Sequence, residues 1–271
     1  MREDRREDLW RSLLVTGTDP RLRRYRRVFR LLPANPRCKF CSAPFAGAGA
    51  PLMRLLHRDR WKKNPRFCSY CFKFLDDTRG GVELELSLLF ADARGSTTLA
   101  ERVPPAEFSR LMNRFYEGAS AVLVTSDGVV DKFVGDEVIG LYLPGLAGPD
   151  HARKAVVAAQ QILRATGHED RAGPWLPVGI GVHTGSAYVG TVGGAGDITD
   201  FTALGDAVNT TARLASEAGQ GEILVTDATA AAASMSLDLL ERRRLHLRGR
   251  TEAVDVLVLR VVPAARPDAV A

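Results

Sequence analysis

The spacing of apolar and polar positions along this chain changes several times, and each change marks an element. Over residues 5–32 the spacing is helical, interrupted at Gly17 to Pro20. In the second piece Leu22, Tyr25, Val28, Phe29 and Leu32 fall on one stripe. Arg21, Arg23, Arg24, Arg26, Arg27 and Arg30 fill much of the rest, which predicts an amphipathic basic helix. Asp76 to Gly81 is polar and Gly-ended and reads as a linker. Glu83 to Ala91 alternates and then becomes continuously apolar, as a buried central strand does. Phe108, Leu111, Met112, Phe115, Ala119, Val122 and Leu123 recur at helical spacing, predicting a helix over Pro105 to Val124. Ser126-Asp127-Gly128 turns the chain into Val129–Val134, and Gly135-Asp136 turns it into Val138–Leu143, a hairpin. Asp150 to Ala165 reads as a second helix. Val178–His183 and Ser186–Val192 read as a strand pair flanking Thr184-Gly185. Asp206 to Ala215 is helical, with Asp206 as its cap, and Glu222–Val225, Leu239–Leu247 and Val254–Val261 read as closing strands. The early order β-α-β-β-α-β is the ferredoxin-like split motif of an α+β fold, with additional C-terminal strands.

Composition adds a division of the chain. Of 271 residues, 45% are hydrophobic and 25% charged, ordinary for a globular protein. No apolar run approaches the ~18 residues of a membrane span. Behind Met1-Arg2-Glu3-Asp4-Arg5-Arg6 lies no apolar signal-peptide core, so a cytoplasmic location is expected. Residues 1–80 hold 20 Lys/Arg against 8 Asp/Glu, a balance of +12; residues 81–271 hold 17 against 24, a balance of −7. Opposite signs predict two modules with different jobs. The boundaries read as a basic helical segment at 1–34, a cysteine module and linker at 35–80, a larger domain at 81–262 and a flexible tail at 263–271. The basic helix reads first as a solvated face, with contact to nucleic acid, to a membrane surface or to a second protomer as the alternatives.

The four cysteines form two hooks, Cys38-Lys39-Phe40-Cys41 and Cys68-Ser69-Tyr70-Cys71. Each C-x-x-C can put two thiolates on one metal, and two hooks complete a tetrahedral all-sulfur site. Zn²⁺ is the expected ion and an iron–sulfur cluster the second choice, with a redox dithiol as the metal-free alternative. His57 lies between hooks that already fill the shell, and Trp61 to Arg66 reads as a basic solvated loop.

Further chemistry gathers at element ends. Asp92 closes an apolar strand and Asp136 sits at the hairpin tip, 44 residues on. Two such carboxylates on neighbouring strands suit Mg²⁺ or Mn²⁺, with the Ala93 carbonyl as a further ligand. Arg94-Gly95-Ser96-Thr97 precedes a short helix whose first N–H groups can cradle phosphate, or whose Ser96 and Thr97 simply cap it. Asn209 and Arg213, four apart on a helix, share one face and can orient a ribose and neutralise a phosphate.

Three segments, Leu88–Thr97, Lys132–Gly140 and Thr202–Arg213, in this order resemble the catalytic domain of class III nucleotidyl cyclases over residues 83 to 262. The resemblance implies that Asp92 and Asp136 hold two metal ions and that Lys132 recognises adenine, where guanylyl cyclases carry glutamate. It implies that Asn209 positions the ribose and that Arg213 stabilises the transition state. Thr202 departs from the pattern, since many members have aspartate there. A hydroxyl can accept from the adenine amino group but can also donate, which implies weaker discrimination between bases. In enzymes of this kind one protomer supplies the aspartates and the other the Lys, Thr, Asn and Arg equivalents. This chain contains both sets, so the resemblance implies a homodimer converting ATP to cyclic AMP and pyrophosphate. The alternatives are a guanylate cyclase, disfavoured by Lys132, and a diguanylate cyclase, disfavoured by the Asn209/Arg213 helix. A third is a catalytically silent platform for a zinc module that binds nucleic acid or protein.

Overall fold

The apolar run before Asp92 becomes the axis of the fold. In the computed structural model, which describes residues 3–32, 35–62, 64–193, 199–236, 240–247 and 253–261, it lies in strand β1 (Gly80–Ala93). Leu84, Leu86, Leu88 and Phe90 enter one buried cluster, while Leu89, Ala91 and Ala93 enter another. Side chains alternate across a strand, so both faces of β1 are covered, which explains why polar positions drop out of the run.

On either side β1 pairs antiparallel, with β3 (Glu137–Tyr142) and β4 (Val178–Gly193). β2 (Val129–Val134) pairs with β3, and the order β2-β3-β1-β4 is that of the expected ferredoxin-like motif. After β1 the short helix α5 (Ser96–Arg102) precedes α6 (Pro105–Thr125), and after β3 come α7 (Pro144–Ala147) and α8 (His151–Ala165). Met112, Phe115 and Ala119 of α6 and Ala155, Ala159 and Ile162 of α8 cover the Leu89/Ala91 face. Beyond β4, β6 (Glu222–Thr226) joins in parallel, and β8 (Val254–Arg260) and β7 (Glu241–Leu245) extend the sheet as the additional C-terminal strands. α10 (Asp227–Ala232) follows β6. A strand that the spacing did not reveal, β5 (Thr199–Leu204), pairs with the far half of β4 and runs through Gly205 into α9 (Asp206–Glu217).

The other face of β1 is covered from the N-terminal side. Helices α1 (Glu3–Leu14), α2 (Pro20–Phe29), α3 (Ala50–Leu55) and α4 (Ser69–Thr78) carry Trp10, Leu13, Leu14, Leu22, Met53, Phe72 and Leu75 into the Leu86/Leu88/Phe90 cluster. Asp19 caps α2, its carboxylate accepting from the Leu22 amide at 2.9 Å. The predicted stripe of α2 is narrower than expected, because Val28 is exposed while Leu22 and Phe29 are buried. Arg26 turns inward and donates to the Phe40 and Gly17 carbonyls at 2.7 and 2.8 Å.

Several expectations are corrected. Val178–His183 and Ser186–Val192 are not a pair but one 16-residue strand. β1 offers an unbroken ladder from Ala93 to Gly80, and Thr184-Gly185 continues along it opposite Ser87 and Leu86 instead of turning. The Asp76–Gly81 linker does not exist: buried Phe72 and Leu75 carry α4 to Thr78, and Gly80 already pairs with Thr191. Gly205, with φ +141°, stands at the start of α9, and Asp206 is its first helical residue rather than its cap. β7 is shorter than predicted; its expected first residue 239 and the tail 263–271 lie outside the described residues.

Buried Glu222 fastens the C-terminal strands. Its carboxylate accepts two bonds from Arg243, at 2.7 and 2.8 Å, and one from Arg260. The Arg243 hydrogen bonds lower its pKa to about 2 against the opposing effect of burial, with the Gly219 amide and Arg260 assisting. A depressed carboxylate pKa adds stability that is present above the unfolded value near 4.5 and is lost as pH falls toward 2. Glu222→Gln is expected to cost about 1–3 kcal/mol near neutral pH. The difference between variant and wild type in chemical denaturation should shrink between pH 4.5 and 2. A pH-independent difference would contradict it.

Candidate functional site

Three carboxyl groups meet where β1 ends. Asp92 lies opposite Glu137 in the ladder, and Asp136 sits in the β2–β3 turn made by Gly135, whose φ is +60°. The Ala93 amide donates to the Asp136 carbonyl at 3.2 Å, and the Ser96 hydroxyl donates to the Asp136 carboxylate. Burial raises the Asp92 pKa to about 6, with Asp136 adding to the rise and Arg94 opposing it. Burial also raises Glu137 to about 7, reinforced by Asp92 and Asp136. Crowded, half-buried carboxylates of this kind fit a hard divalent cation, which would relieve their mutual repulsion. Glu137 was missed in the sequence; its signal was its place beside Asp136, in register with Asp92.

In the neighbouring loop Arg94, Gly95, Ser96 and Thr97 lead into α5 (Ser96–Arg102). The Arg94 guanidinium contacts the Asp92 carboxylate and donates to the Ala215 and Ser216 carbonyls at 2.9 and 2.8 Å. Those carbonyls end α9, where a cation is favoured by the helix dipole. Gly95 takes φ +69° at the start of α5, and Thr97 is exposed.

A second cluster forms at a β-bulge. The β2–β3 register shifts by one between Val130 and Phe133, so Asp131 and Lys132 together face one residue of β3. A bulge re-aims side chains that strict alternation would send to opposite faces. Both reach β5: Lys132 Nζ lies 2.5 Å from the Asp200 carboxylate, and the Thr202 hydroxyl donates to Asp131 Oδ2 at 2.8 Å. Asp131 is 3% exposed and Thr202 5%. Burial pulls the Lys132 pKa down, but the Asp200 hydrogen bond and the charges of Asp131 and Asp200 outweigh it and the pKa is raised. Asp131 and Asp200 were not singled out in the sequence, because nothing in the spacing announces the bulge. On α9, Asn209 is exposed and Arg213 half-buried one turn on, on the same face. Their side chains hydrogen-bond to nothing among the described residues.

The cysteines converge as expected. All four Sγ atoms lie within 4.8 Å of one another, all four residues are buried, and none is in a disulfide. Cys41 and Cys68 Sγ are 3.7 Å apart. One tetrahedral ion with metal–sulfur bonds of ~2.3 Å sets its sulfurs about 3.8 Å apart. The Cys68 amide donates to Cys38 Sγ at 3.3 Å, and Arg58 approaches Cys41 Sγ at 3.5 Å, both favouring thiolate. Arg58 also lies over the Tyr70 and Tyr25 rings, 4.0 and 4.4 Å from their centroids. His57 is exposed.

This cysteine site is wired to β5. Trp10 stacks on Phe201 at 6.1 Å between centroids, and Phe72, one residue after Cys71, meets Phe201 edge-on at 5.8 Å. Trp61 stacks on Phe72 at 3.6 Å. Phe201 immediately precedes Thr202. On the far side, Asp127 pairs with Lys39 and Arg66 of the module, at 2.5 and 2.9 Å, and with Lys154 of α8 at 3.1 Å.

Residues 83–260 match the family of adenylate and guanylate cyclase catalytic domains. An adenylate cyclase of Anabaena cylindrica is 31% identical over 183 residues, covering 63% of this chain; the chain spans 36% of that relative's length. Among solved structures, the guanylyl cyclase Cya2 superposes with a TM-score of 0.60 at 26% identity, over 70% of this chain and 98% of that one. The adenylyl cyclase CyaB from P. aeruginosa superposes at 0.57 with the same identity and coverage.

The sulfur geometry predicts that metal-free protein binds one Co²⁺ per chain with the visible bands of a tetrahedral thiolate site, displaced by Zn²⁺. Cys68→Ser should lose the bands. Retention of tetrathiolate spectra in that variant, or a stoichiometry far from one, would refute the site.

Proposed function

The chain belongs to the adenylate and guanylate cyclase catalytic-domain family, and on that premise we propose that it converts ATP to 3′,5′-cyclic AMP and pyrophosphate in intracellular signalling. The observation that carries the choice of ATP is that Lys132 and Thr202 are both tied across the β2–β5 junction, Lys132 to Asp200 and Thr202 to Asp131. Lysine offers only donors, which suits N1 of adenine, and the threonine oxygen can accept from the exocyclic amino group. Asp92, Asp136 and the Ala93 carbonyl are the proposed ligands of two Mg²⁺ or Mn²⁺. When bound, such ions lower the pKa of the ribose 3′-hydroxyl and hold the triphosphate. In the reaction the 3′-oxygen would bond to the α-phosphorus as the bond from that phosphorus to the β-phosphate oxygen breaks, the hydroxyl proton passing to a water or a phosphate oxygen and pyrophosphate leaving. Asn209 orients the ribose, and Arg213 meets the charge that develops on the phosphate.

Each site is proposed to form between two copies, one giving the carboxylates and the other Lys132, Thr202, Asn209 and Arg213. The boundaries 1–34, 35–80 and 81–262 are retained as functional units, with Zn²⁺ in the four-sulfur site and the module as a structural or regulatory input. The contacts of Trp10 and Phe72 with Phe201 support that input. The described residues contain no helix long and apolar enough to cross a membrane, in keeping with a cytoplasmic enzyme.

Purified protein with Mn²⁺ should make cyclic AMP from ATP. Asp92→Ala should abolish it, and Arg213→Ala should lower kcat about 10²–10³-fold. Mixing the two variants should raise activity well above that of either alone, because one mixed site retains every group. No cyclic nucleotide from ATP or GTP would overturn the enzyme reading in favour of the silent platform. Failure of the mixture to recover would overturn the shared site.

Chelating the four-sulfur metal should lower both the unfolding temperature and the cyclase activity, since the module and β5 share one core. Unchanged activity and stability in a protein shown to be metal-free would remove the module from the enzyme's working parts.

A further inference from the structure

Threonine at position 202 poses a chemical problem for base selection. A hydroxyl carries one proton and two lone pairs, so a freely rotating one can accept from the amino group of adenine or donate to the O6 oxygen of guanine. Alone, it would select neither.

The hydroxyl of Thr202 does not rotate freely. Its proton is directed at Asp131 Oδ2, 2.8 Å away. A carboxylate accepts and cannot donate, so the only capacity left on the threonine oxygen is its lone pairs. Both residues are almost wholly buried, which keeps water from taking over either end of the bond. The bulge between Val130 and Phe133 is what permits the contact, because it lets Asp131 and Lys132 both reach β5. Lys132 spends one donor on Asp200 and keeps others. The pair therefore presents a fixed donor and a fixed acceptor. Adenine offers the complement, a ring-nitrogen acceptor beside an amino donor, whereas guanine offers the reverse at both positions.

We propose that Asp131 is the positioning residue that sets base specificity: by taking the Thr202 proton it turns an ambivalent hydroxyl into an acceptor and makes the site select the nucleoside triphosphate of a 6-amino purine over a 6-oxo purine. This rests on the cyclase reading above. Asp131 touches no substrate atom; it acts through Thr202. The weaker discrimination that threonine alone implies is thereby replaced by a committed polarity.

The test is the ratio of kcat/KM for ATP to that for GTP in the full-length, metal-loaded protein, with equilibrium binding of both nucleotides measured in parallel. Asp131→Asn keeps the size but lets the amide point its own donor at Thr202, which frees the hydroxyl proton. It should lower the ATP-to-GTP ratio about tenfold or more, the cost of one mispaired buried polar group. The double variant Asp131→Asn with Thr202→Asp supplies an acceptor-only group directly and should return the ratio toward that of wild type, which a merely structural role for Asp131 would not predict. An unchanged ratio in Asp131→Asn overturns the proposal. So does an equal loss for both nucleotides that the double variant fails to reverse. If wild type forms no cyclic nucleotide, the cyclase reading falls by itself, and the ratio of ATP to GTP dissociation constants in the same two variants still decides the role of Asp131.

Discussion

Everything in this molecule follows from a strand that must be buried twice. Leu84, Leu86, Leu88 and Phe90 on one face of β1, and Leu89, Ala91 and Ala93 on the other, each need a cover. Burying one large apolar side chain is worth roughly 1.5–3 kcal/mol. The even face alone therefore commits several kcal/mol to whatever packs on it. Helices α6 and α8 cover the odd face in the manner of any split βαβ sheet. The even face takes α1, α4 and the cysteine-bearing segment, together with part of α9. The cysteine module and the strand bearing Thr202 thus share one interior, and Phe201 is the side chain where they touch.

Charge then fixes what apolar burial leaves free. The basic excess of residues 1–80 and the acidic balance of the rest meet in part at Asp127, which takes Lys39 and Arg66 from one and Lys154 from the other. Burial raises the Asp127 pKa, but the hydrogen bonds and charges of the two lysines more than offset it, and the group stays below its ordinary value. Arg94 plays a comparable part at the opposite end of the sheet, tying Asp92 to the last carbonyls of α9. That guanidinium adds a polar tie between the carboxylate cluster and the helix carrying Asn209 and Arg213, whose Ala207 and Ala215 already pack into the β1 cluster.

Much of this was legible from the residues. Regular spacing located α6, α8 and β1, and the two C-x-x-C hooks located a sulfur cluster whose geometry suits one ion. What escaped was whatever depends on a partner strand. Thr184-Gly185 looks like a turn until β1 lies beside it, and β5 is too short and polar at Thr199 and Asp200 to declare itself before β4 pairs with it. The bulge in β2 is a matter of register between two strands, and no pattern within Val129–Val134 records it. Glu137 and Asp131 were passed over for the same reason: their importance comes from what stands opposite. The Asp76–Gly81 stretch misled because α4 runs through its first three residues and β1 takes up its last two, leaving only Arg79 between them.

That last feature governs how a disturbance would travel. α4 ends at Thr78 and β1 begins at Gly80, so Arg79 is the whole connection between the helix that starts just after Cys68 and the central strand of the sheet. A flexible tether would let the module tilt without the sheet noticing. Here there is no slack: Gly80 is already held opposite Thr191, and an alanine methyl at Gly190 would sit 2.3 Å from the Gly80 carbonyl. The helix and the strand behave as a crank and its shaft. A change in shape at the four sulfurs must either turn β1, with Asp92 at its far end, or strip the first rungs of the β1–β4 ladder.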